Sequence, residues 1–161
     1  MTFNGDYELR FELKDLDGVY GELIYYNFKI LSEQNQYKLN IGNVKRDSEK
    51  EALFPTVLHD SFSCMNMGNF STRDRDNDRK EKGSIAQKYK TAGWLKKERH
   101  LEVNLFGANL NKAETGNKDW KGVSWQSFRG SRYSLSKLTM AMRPSQHYVS
   151  GEIVNYGKYV M

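Results

Sequence analysis

The sequence predicts an α+β fold: an antiparallel β-sheet meander with short helices and a loop-rich segment in its second half. Two observations predict the sheet: apolar and charged residues alternate within the first forty residues, and apolar residues recur in a strand-like run at residues 133–144. A third observation is segment 70–132, where glycines recur and regular periodicity is scarce. With 161 residues, 38% of them hydrophobic, the chain is long enough to bury one core.

The first strands are predicted between residues 7 and 41. The run "YELRFEL" alternates apolar with charged residues, and Asp17-Gly18 then provides a hairpin turn signal. The return run "YGELIYYNFKI" is rich in aromatic and β-branched residues, which favour strands. The run "QYKLNIG" repeats the alternation, with Tyr37, Leu39 and Ile41 on one face. We therefore expect three strands joined by short turns.

The middle of the chain is predicted to be less regular. Segment 43–60 breaks the alternation and predicts a short helix or loop that ends at Pro55. A loop-rich region as long as 70–132 is typical of a functional segment or of disorder, and its tryptophans and phenylalanines argue against disorder. The run "YSLSKLTMAMRP" predicts a closing strand, and the tail beyond Pro144 predicts one more strand or a loose end.

Composition and local motifs exclude several classes of protein. Cys64 is the single cysteine, which excludes an intramolecular disulfide and a multi-cysteine zinc site. No run reaches the length of a membrane span, and the N-terminus shows no secretion signal pattern. The letters of a catalytic triad stand at 59–61, but consecutive side chains cannot converge on one another. Since there is also no phosphate-binding glycine loop, we expect no enzyme.

The run "FSTRDRDND" (70–78) places aspartates at every second position. Closely spaced aspartates supply oxygen ligands to hard cations such as Ca²⁺. An EF-hand is excluded, because Arg79 and Ile85 stand where that loop requires glycine and glutamate. Five basic and four acidic residues between 73 and 82 make the segment nearly neutral. The residues alone thus leave an ion-binding loop open beside a solvated turn, which they favour.

A basic run with interleaved aromatics offers an alternative function. The segment "KYKTAGWLKKER" has the composition of a surface that binds single-stranded nucleic acid, with Tyr89 and Trp94 as stacking residues. The opposing interpretation is that both aromatic side chains pack inward while the lysines face solvent. The formal charge of +5 permits a polyanionic partner without requiring one.

Five blocks of sequence occur in a specific order: "YELRFELKDLDG" with "NFKI", "HDSFSCMNMGNFST", "FSTRDRDND", "AQKYKTAGWLKKERH" and "KGVSWQSFRGSRYSLSKLTMAMRP". Over roughly residues 5–144 they resemble the fibrinogen C-terminal domain family, which includes ficolins, tachylectins, angiopoietins and the fibrinogen chains. The resemblance implies an extracellular recognition module, and it matches Trp94 to a structural tryptophan.

The chain departs from this family in two respects. It lacks the family's N-terminal subdomain, and Ile85 and Arg99 replace the two cysteines of the C-terminal disulfide. We therefore expect a truncated or divergent member whose loop-rich region is held by packing alone. The resemblance implies a single fibrinogen C-terminal-like domain over residues 1–161, divided approximately into a central sheet subdomain (1–69), a loop-rich binding subdomain (70–132), a closing strand (133–144) and a tail (145–161).

The resemblance also implies a calcium site. Carried over residue by residue, the side-chain ligands are Asp76 and Asp78, and backbone carbonyls come from the following turn, near Lys80 and Lys82. The lysine side chains are free to point outward, since this role needs only their carbonyl groups. The chain has one more residue before Gly83 than the fibrinogen γ chain has.

The ligand pocket that the resemblance implies lies beside the calcium loop. His100 stands where the family has its pocket histidine, and Tyr89 matches a pocket tyrosine of the acetyl-binding lectins. Asp119 and Ser131 replace the other two aromatic residues of that pocket. Trp120 replaces an acidic residue that some fibrinogen chains use, and an exposed Trp120 would offer a stacking surface instead.

Taken together, the sequence predicts a noncatalytic, calcium-stabilised recognition module that binds a glycan or a protein ligand. The alternative is a basic-surface binder of polyanions, either heparin-like glycans or single-stranded nucleic acid, without a working calcium site. Nucleic acid is the less favoured partner, and no membrane span is expected. An oligomer, including one linked through Cys64, stays open.

Overall fold

The computed structural model describes residues 6–45, 59–78, 80–96, 101–111, 114–115, 119–145, 148–149, 152–153 and 159–160. Its strands are β1 Tyr7–Lys14, β2 Tyr20–Tyr25, β3 Lys29–Ile30, β4 Leu39–Asn40, β5 Val44–Lys45, β6 Asn69–Ser71, β7 Gly93–Leu95, β8 Val103–Asn104, β9 Ser124–Trp125, β10 Lys137–Pro144, β11 Tyr148–Val149, β12 Glu152–Ile153 and β13 Tyr159–Val160. The helices are α1 Ile85–Tyr89 and α2 Gln126–Arg129, together with 3₁₀ turns at Glu33–Asn35 and Phe62–Met65.

The largest sheet has five strands in the order β13-β10-β1-β2-β5, and its neighbours are antiparallel. The central strand β1 pairs along its whole length with β10, so that Tyr7 lies opposite Pro144 and Lys14 opposite Lys137. Four two-stranded ladders accompany this sheet: β3–β4, β6–β7, β8–β9 and β11–β12. Antiparallel sheets with short helices confirm the predicted α+β class.

The alternation of β1 separates a core face from a charged face. Leu9, Phe11 and Leu13 are fully buried, and the Phe11 ring meets the rings of Phe62 and Trp125 edge-on at centroid distances of 4.7 and 5.2 Å. Edge-to-face aromatic pairs of this kind stabilise a core beyond the burial of their area. The core therefore joins the sheet to the 3₁₀ turn at Phe62–Met65 and to Trp125 of the loop-rich segment.

The hairpin turn after β1 is built around Asp15. Its Oδ1 accepts the N–H groups of Asp17 (2.9 Å) and Val19 (2.7 Å), and Gly18 takes a φ of +90° that favours glycine. Its Oδ2 accepts hydrogen bonds from the Arg129 guanidinium on α2. Burial alone would raise the pKa of Asp15, but Arg129 and the two N–H groups hold this pKa below its ordinary value. The predicted turn is thereby confirmed.

Other predicted elements are shorter than the sequence indicates or lie outside the described residues. Strand β4 comprises only Leu39 and Asn40, because Tyr37 takes a left-handed backbone with φ of +49°. The closing strand β10 begins at Lys137, while Tyr133 lies in the preceding turn and accepts the N–H of Leu16 with its hydroxyl (2.9 Å). The segment predicted as a helix or loop ending at Pro55 begins instead with strand β5, which pairs with β2, and its remainder up to residue 58 lies outside the described residues. In the part of the chain that is described, no helix has the length and apolarity to cross a membrane.

Candidate functional site

The aspartate run lies on a loop that starts at the end of β6, and two asparagines fix it there. Asn77 donates its side-chain N–H to the Phe70 carbonyl (2.7 Å) and its backbone N–H to Ser71 Oγ (3.0 Å). Asn69 donates its side-chain N–H to the Asn77 carbonyl (3.2 Å). These hydrogen bonds hold Asn77 against strand β6, and thereby fix the backbone between Asp76 and Asp78.

The two predicted calcium ligands are neighbours in this loop but differ in exposure. Asp76 is exposed, and its Oδ1 accepts the N–H of Asp78 (3.1 Å). Asp78 is only 1% exposed. Its Oδ1 accepts the N–H of Lys80 (2.8 Å), and its Oδ2 accepts the N–H of Ile85 (2.7 Å). The chain thus folds back around the Asp78 carboxylate, while the side chains of Lys80 and Lys82 are exposed.

The surroundings of Asp78 fit a bound hard cation. Among the described residues, no lysine or arginine side chain forms an ion pair with this buried carboxylate. An unpaired buried charge is costly, and each Asp78 oxygen keeps a lone pair beside its N–H bond. Nearby, Asn69 Oδ1 is buried and has no hydrogen-bond partner in the described part of the chain. That part contains no cluster of three or more His, Cys, Asp and Glu side chains suited to a metal, so carbonyl groups or waters would complete such a site.

Helix α1 carries the predicted pocket residue Tyr89 at its last position. Ser84 caps this helix by accepting the N–H of Gln87 (3.3 Å), and Lys90 ends it with a left-handed φ of +53°. Tyr89 is half-buried, and the Lys88 ammonium lies 4.8 Å from the centroid of its ring. The Tyr89 side chain therefore packs partly against the core and has a cation beside its ring.

A buried hydrogen-bond bridge joins the Tyr89 segment to the Trp120 segment. Thr91, two residues after Tyr89, donates its hydroxyl to Asn104 Oδ1 (2.5 Å), and Asn104 donates its side-chain N–H to the Trp120 carbonyl (2.8 Å). The Trp120 N–H is donated to the Ser131 carbonyl (2.8 Å). The bridge thus links the segment that follows Tyr89 to Trp120 and, through the Trp120 N–H, to Ser131.

Trp120 does not offer the exposed stacking surface that the sequence suggested. Trp120 is 9% exposed and belongs to the core cluster, and its backbone takes a left-handed φ of +55°. Asp119 is exposed and Ser131 is half-buried. His100 lies outside the described residues.

Of the two aromatic residues in the alternative nucleic-acid surface, Trp94 is buried and Tyr89 is half-buried. Trp94 is 4% exposed, packs edge-on against Phe70 and donates its indole N–H to the Tyr37 carbonyl (2.9 Å). Stacking of bases requires an accessible ring face, which Trp94 lacks. Inward packing, the opposing interpretation of the basic run, is correct for this residue.

Comparison with known protein families identifies the family to which this chain belongs. Residues 1–145 match the family model described as "Fibrinogen beta and gamma chains, C-terminal globular domain". The chain belongs to this fibrinogen family. Techylectin-5A from Tachypleus tridentatus is 34% identical over 151 residues, which are 94% of this chain and 47% of that protein. Fibrinogen-like protein 1 from Rattus norvegicus is 33% identical over 149 residues, covering 90% of this chain and 45% of the relative.

Solved structures of the fibrinogen family share this fold. The fibrinogen-like globe domain of human ANGPTL6 superposes with a TM-score of 0.76 at 31% identity, covering 91% of this chain and 60% of that one. The lamprey fibrin D-dimer complexed with the peptide Gly-His-Arg-Pro-amide gives a TM-score of 0.65 at 25% identity, over 93% of this chain and 49% of that one. The chain spans about half the length of the curated relatives named here.

Membership of the fibrinogen family confirms the resemblance drawn from five sequence blocks, but those blocks did not reveal two structural features of the loop-rich segment. The Thr91–Asn104 bridge was missed, although Asn104 stands between two apolar residues in a strand, which is a sign of a buried polar group. The exposed ring of Phe106 was missed as well, since nothing in its local pattern distinguishes it from a core residue.

Proposed function

We propose that this chain is a noncatalytic, calcium-stabilised recognition module that binds a glycan or protein ligand outside the cell. The observation that carries the proposal is the Asp78 carboxylate, which is 1% exposed and bonded to backbone N–H groups on both oxygens. Relatives support both classes of ligand, because one is named as a lectin and another structure contains a bound peptide. None of the relatives named here carries the name of an enzyme.

In this proposal Asp76 and Asp78 supply the side-chain ligands of Ca²⁺, and carbonyl groups near Lys80 and Lys82 supply others. The ion would neutralise the buried carboxylate and hold the turn that follows it. Asp78 Oδ2 also accepts the N–H of Ile85, the first residue of α1, and Tyr89 ends this helix. Ordering of the loop would therefore extend to the wall of the ligand site before the ligand arrives, which lowers the entropic cost of binding.

The proposed ligand site comprises Tyr89, His100, Asp119, Trp120 and Ser131. Trp120 would position its neighbours through its backbone bonds to Asn104 and Ser131, because its side chain is buried, whereas the Asp119 carboxylate is exposed. Neither Asp119 nor Ser131 presents an aromatic face. We therefore expect weak binding of N-acetylated sugars, and tight, calcium-dependent binding of N-acetylglucosamine that is lost in His100→Ala would contradict this expectation.

Calcium titration into chelator-treated protein tests the metal site. At a hundredfold excess over its Kd, a ligand that binds only the folded state adds about 2.7 kcal/mol to the free energy of unfolding. For a domain of this size such an increase raises the melting temperature by about 5–10 °C. The Asp76→Ala, Asp78→Ala double variant should lose this rise, and Asp76→Asn alone should weaken it.

Asp74→Ala is the matched control for this titration, since Asp74 is an exposed aspartate of the same run that the site does not use. It should retain the full rise in melting temperature. If millimolar calcium leaves the melting temperature of the chelator-treated wild-type protein unchanged, or if Asp74→Ala abolishes the rise as well, the proposed site is wrong.

The second candidate function is polyanion binding, and exposed lysines near Tyr89 favour it. Lys88 and Lys90 flank Tyr89 on the surface, and Lys80 and Lys82 are exposed in the preceding turn. Binding to heparin that falls steeply with salt, and that is indifferent to calcium and to His100→Ala, would favour this function over the calcium-dependent one.

A further inference from the structure

Phe106 is a large apolar side chain that the fold leaves in solvent. It is 52% exposed, and among the described residues only Met67 (53%) and Tyr26 (36%) are comparably exposed large hydrophobic residues. A single exposed ring does not by itself mark a binding site. What distinguishes Phe106 is the rigidity and the position of the turn that carries it.

The turn is fixed by direct contact between two backbones. A Cβ atom at Gly107 would lie 2.2 Å from the Gly122 carbonyl oxygen, so no side chain fits there. Ala108 donates its N–H to the Lys121 carbonyl (2.8 Å), and Val123 donates its N–H to the Ala108 carbonyl (3.3 Å). Phe106 therefore projects from a turn that is held on the 121–123 segment before any ligand binds.

This turn stands at the junction of the two segments that form the proposed ligand site. Two residues before Phe106, Asn104 bridges Thr91 and the Trp120 carbonyl. Thr91 belongs to the Tyr89 segment, and Trp120 follows the exposed Asp119. The ring of Phe106 thus emerges from the same short stretch of chain whose buried part holds the site together.

We propose that Phe106 is the stacking residue of the ligand site and that it takes the apolar C–H face of a sugar ring. This inference rests on the proposed recognition function and assigns glycans as its ligand class. An aromatic face can stand in for those absent at positions 119 and 131.

Exposed polar residues on the two segments that meet at this turn favour a sugar over a protein. A sugar ring combines one apolar face with a rim of hydroxyl groups, and Asn109 and Asp119 expose an amide and a carboxylate that can bond to hydroxyls. A protein hot spot would instead need several apolar side chains around the anchor. The next exposed residue after Phe106 along the turn is Ala108, whose methyl group adds little apolar surface. Since the turn is already rigid, stacking requires no further ordering of the protein.

The test is an array of immobilised oligosaccharides that end in galactose, mannose, N-acetylglucosamine or sialic acid, probed with the wild-type chain and three variants in calcium. The terminal sugar of the strongest hit is then titrated calorimetrically as its methyl glycoside. Phe106→Ala should bind about tenfold more weakly, and Phe106→Trp should stay within about threefold of the wild-type affinity because it keeps a ring. Met67→Ala, which truncates an equally exposed side chain elsewhere, should bind as the wild type does.

Each outcome bears on the inference. If Phe106→Ala binds as tightly as the wild type, or if Phe106→Trp loses as much affinity as Phe106→Ala, Phe106 is not a stacking residue, while the recognition function stands. If the wild-type chain binds no glycan on the array, the assignment of ligand class is overturned. The calcium-induced rise in melting temperature, measured on the same samples, reports separately whether the proposed calcium-stabilised module holds.

Discussion

Replacing Arg129 by methionine removes the positively charged partner of the most deeply buried carboxylate on the hairpin. Arg129 donates to Asp15 Oδ2 from Nε (2.8 Å) and Nη2 (2.5 Å), and Asp15 is 1% exposed. Loss of one partner from a buried ion pair typically costs about 3–5 kcal/mol. Because the Arg129 side chain is 35% exposed, and Asp15 keeps the N–H groups of Asp17 and Val19, we expect a cost of about 2–3 kcal/mol.

Urea unfolding followed by tryptophan fluorescence measures this cost, since Trp94 and Trp125 are buried reporters. With an urea dependence of about 2 kcal/mol per molar, the midpoint should fall by about 1–1.5 M. Arg10→Met is the matched control, because Arg10 is as exposed (33%) as Arg129, but its partners Glu12 and Glu22 keep 25% and 11% of their side chains in solvent, whereas the Asp15 side chain is fully buried. That variant should lose about 1 kcal/mol at most. The reasoning fails if Arg129→Met is no less stable than Arg10→Met.

The pH dependence of the same pair has a definite sign. The pKa of Asp15 is lower in the folded protein than its ordinary value of 3.8, so the ionised carboxylate favours folding. This contribution is present above pH 3.8 and is lost as the pH falls through the folded pKa. The difference in unfolding free energy between wild type and Arg129→Met should therefore shrink in acid below this value. A difference that stays constant down to pH 2.5 would contradict the assignment.

Two further predictions concern the backbone contact at Gly107 and the thiol of Cys64. Gly107→Ala should lower the free energy of unfolding by more than about 1 kcal/mol, because its Cβ would lie 2.2 Å from the Gly122 carbonyl oxygen. Gly83→Ala should lower it by only about 1 kcal/mol, because Gly83 has open space around it and only its φ of +74° disfavours alanine. Urea titration of both variants distinguishes steric conflict from backbone preference, and equal losses would refute the former. Burial, with the nearby Glu102 carboxylate, raises the pKa of Cys64 to about 12, so Ellman's reagent should modify the folded protein much more slowly than the urea-unfolded chain. Reductant should leave the melting temperature of the monomer unchanged.

The elements predicted well from sequence are those that local patterns determine. The alternation of β1 and the Asp17-Gly18 signal together specify a hairpin within about twenty residues. The pairing of β1 with β10 could not be predicted in this way, because the two strands stand at opposite ends of the domain. The burial of Glu8 follows from that pairing, since its partner Arg143 comes from β10 and their ion pair satisfies the carboxylate.

In the candidate site, too, features set by local sequence could be predicted, whereas those set by contacts between distant segments could not. Asp76 and Asp78 lie in one short loop, because this run of sequence folds around its own carboxylates, and their role as calcium ligands stays a prediction. The burial of Trp120 was not predictable, since it depends on a left-handed backbone whose N–H bonds to Ser131, eleven positions along the chain. Asn104 likewise has a role only when Thr91 and Trp120 are brought to it by the fold.

The expectation that packing alone holds the loop-rich region is incomplete, and the reason bears on the proposed calcium site. Ile85 stands where the family has a cysteine, and it is 8% exposed within the core cluster, so packing does replace part of the missing cross-link. Its N–H, however, is donated to Asp78 Oδ2, which ties the same position to the aspartate loop. With no disulfide to order the loop independently, this hydrogen bond links the aspartate loop directly to the start of α1. A cation bound there should therefore stabilise this chain more than it would stabilise a relative that keeps the disulfide, because in such a relative the loop is already ordered.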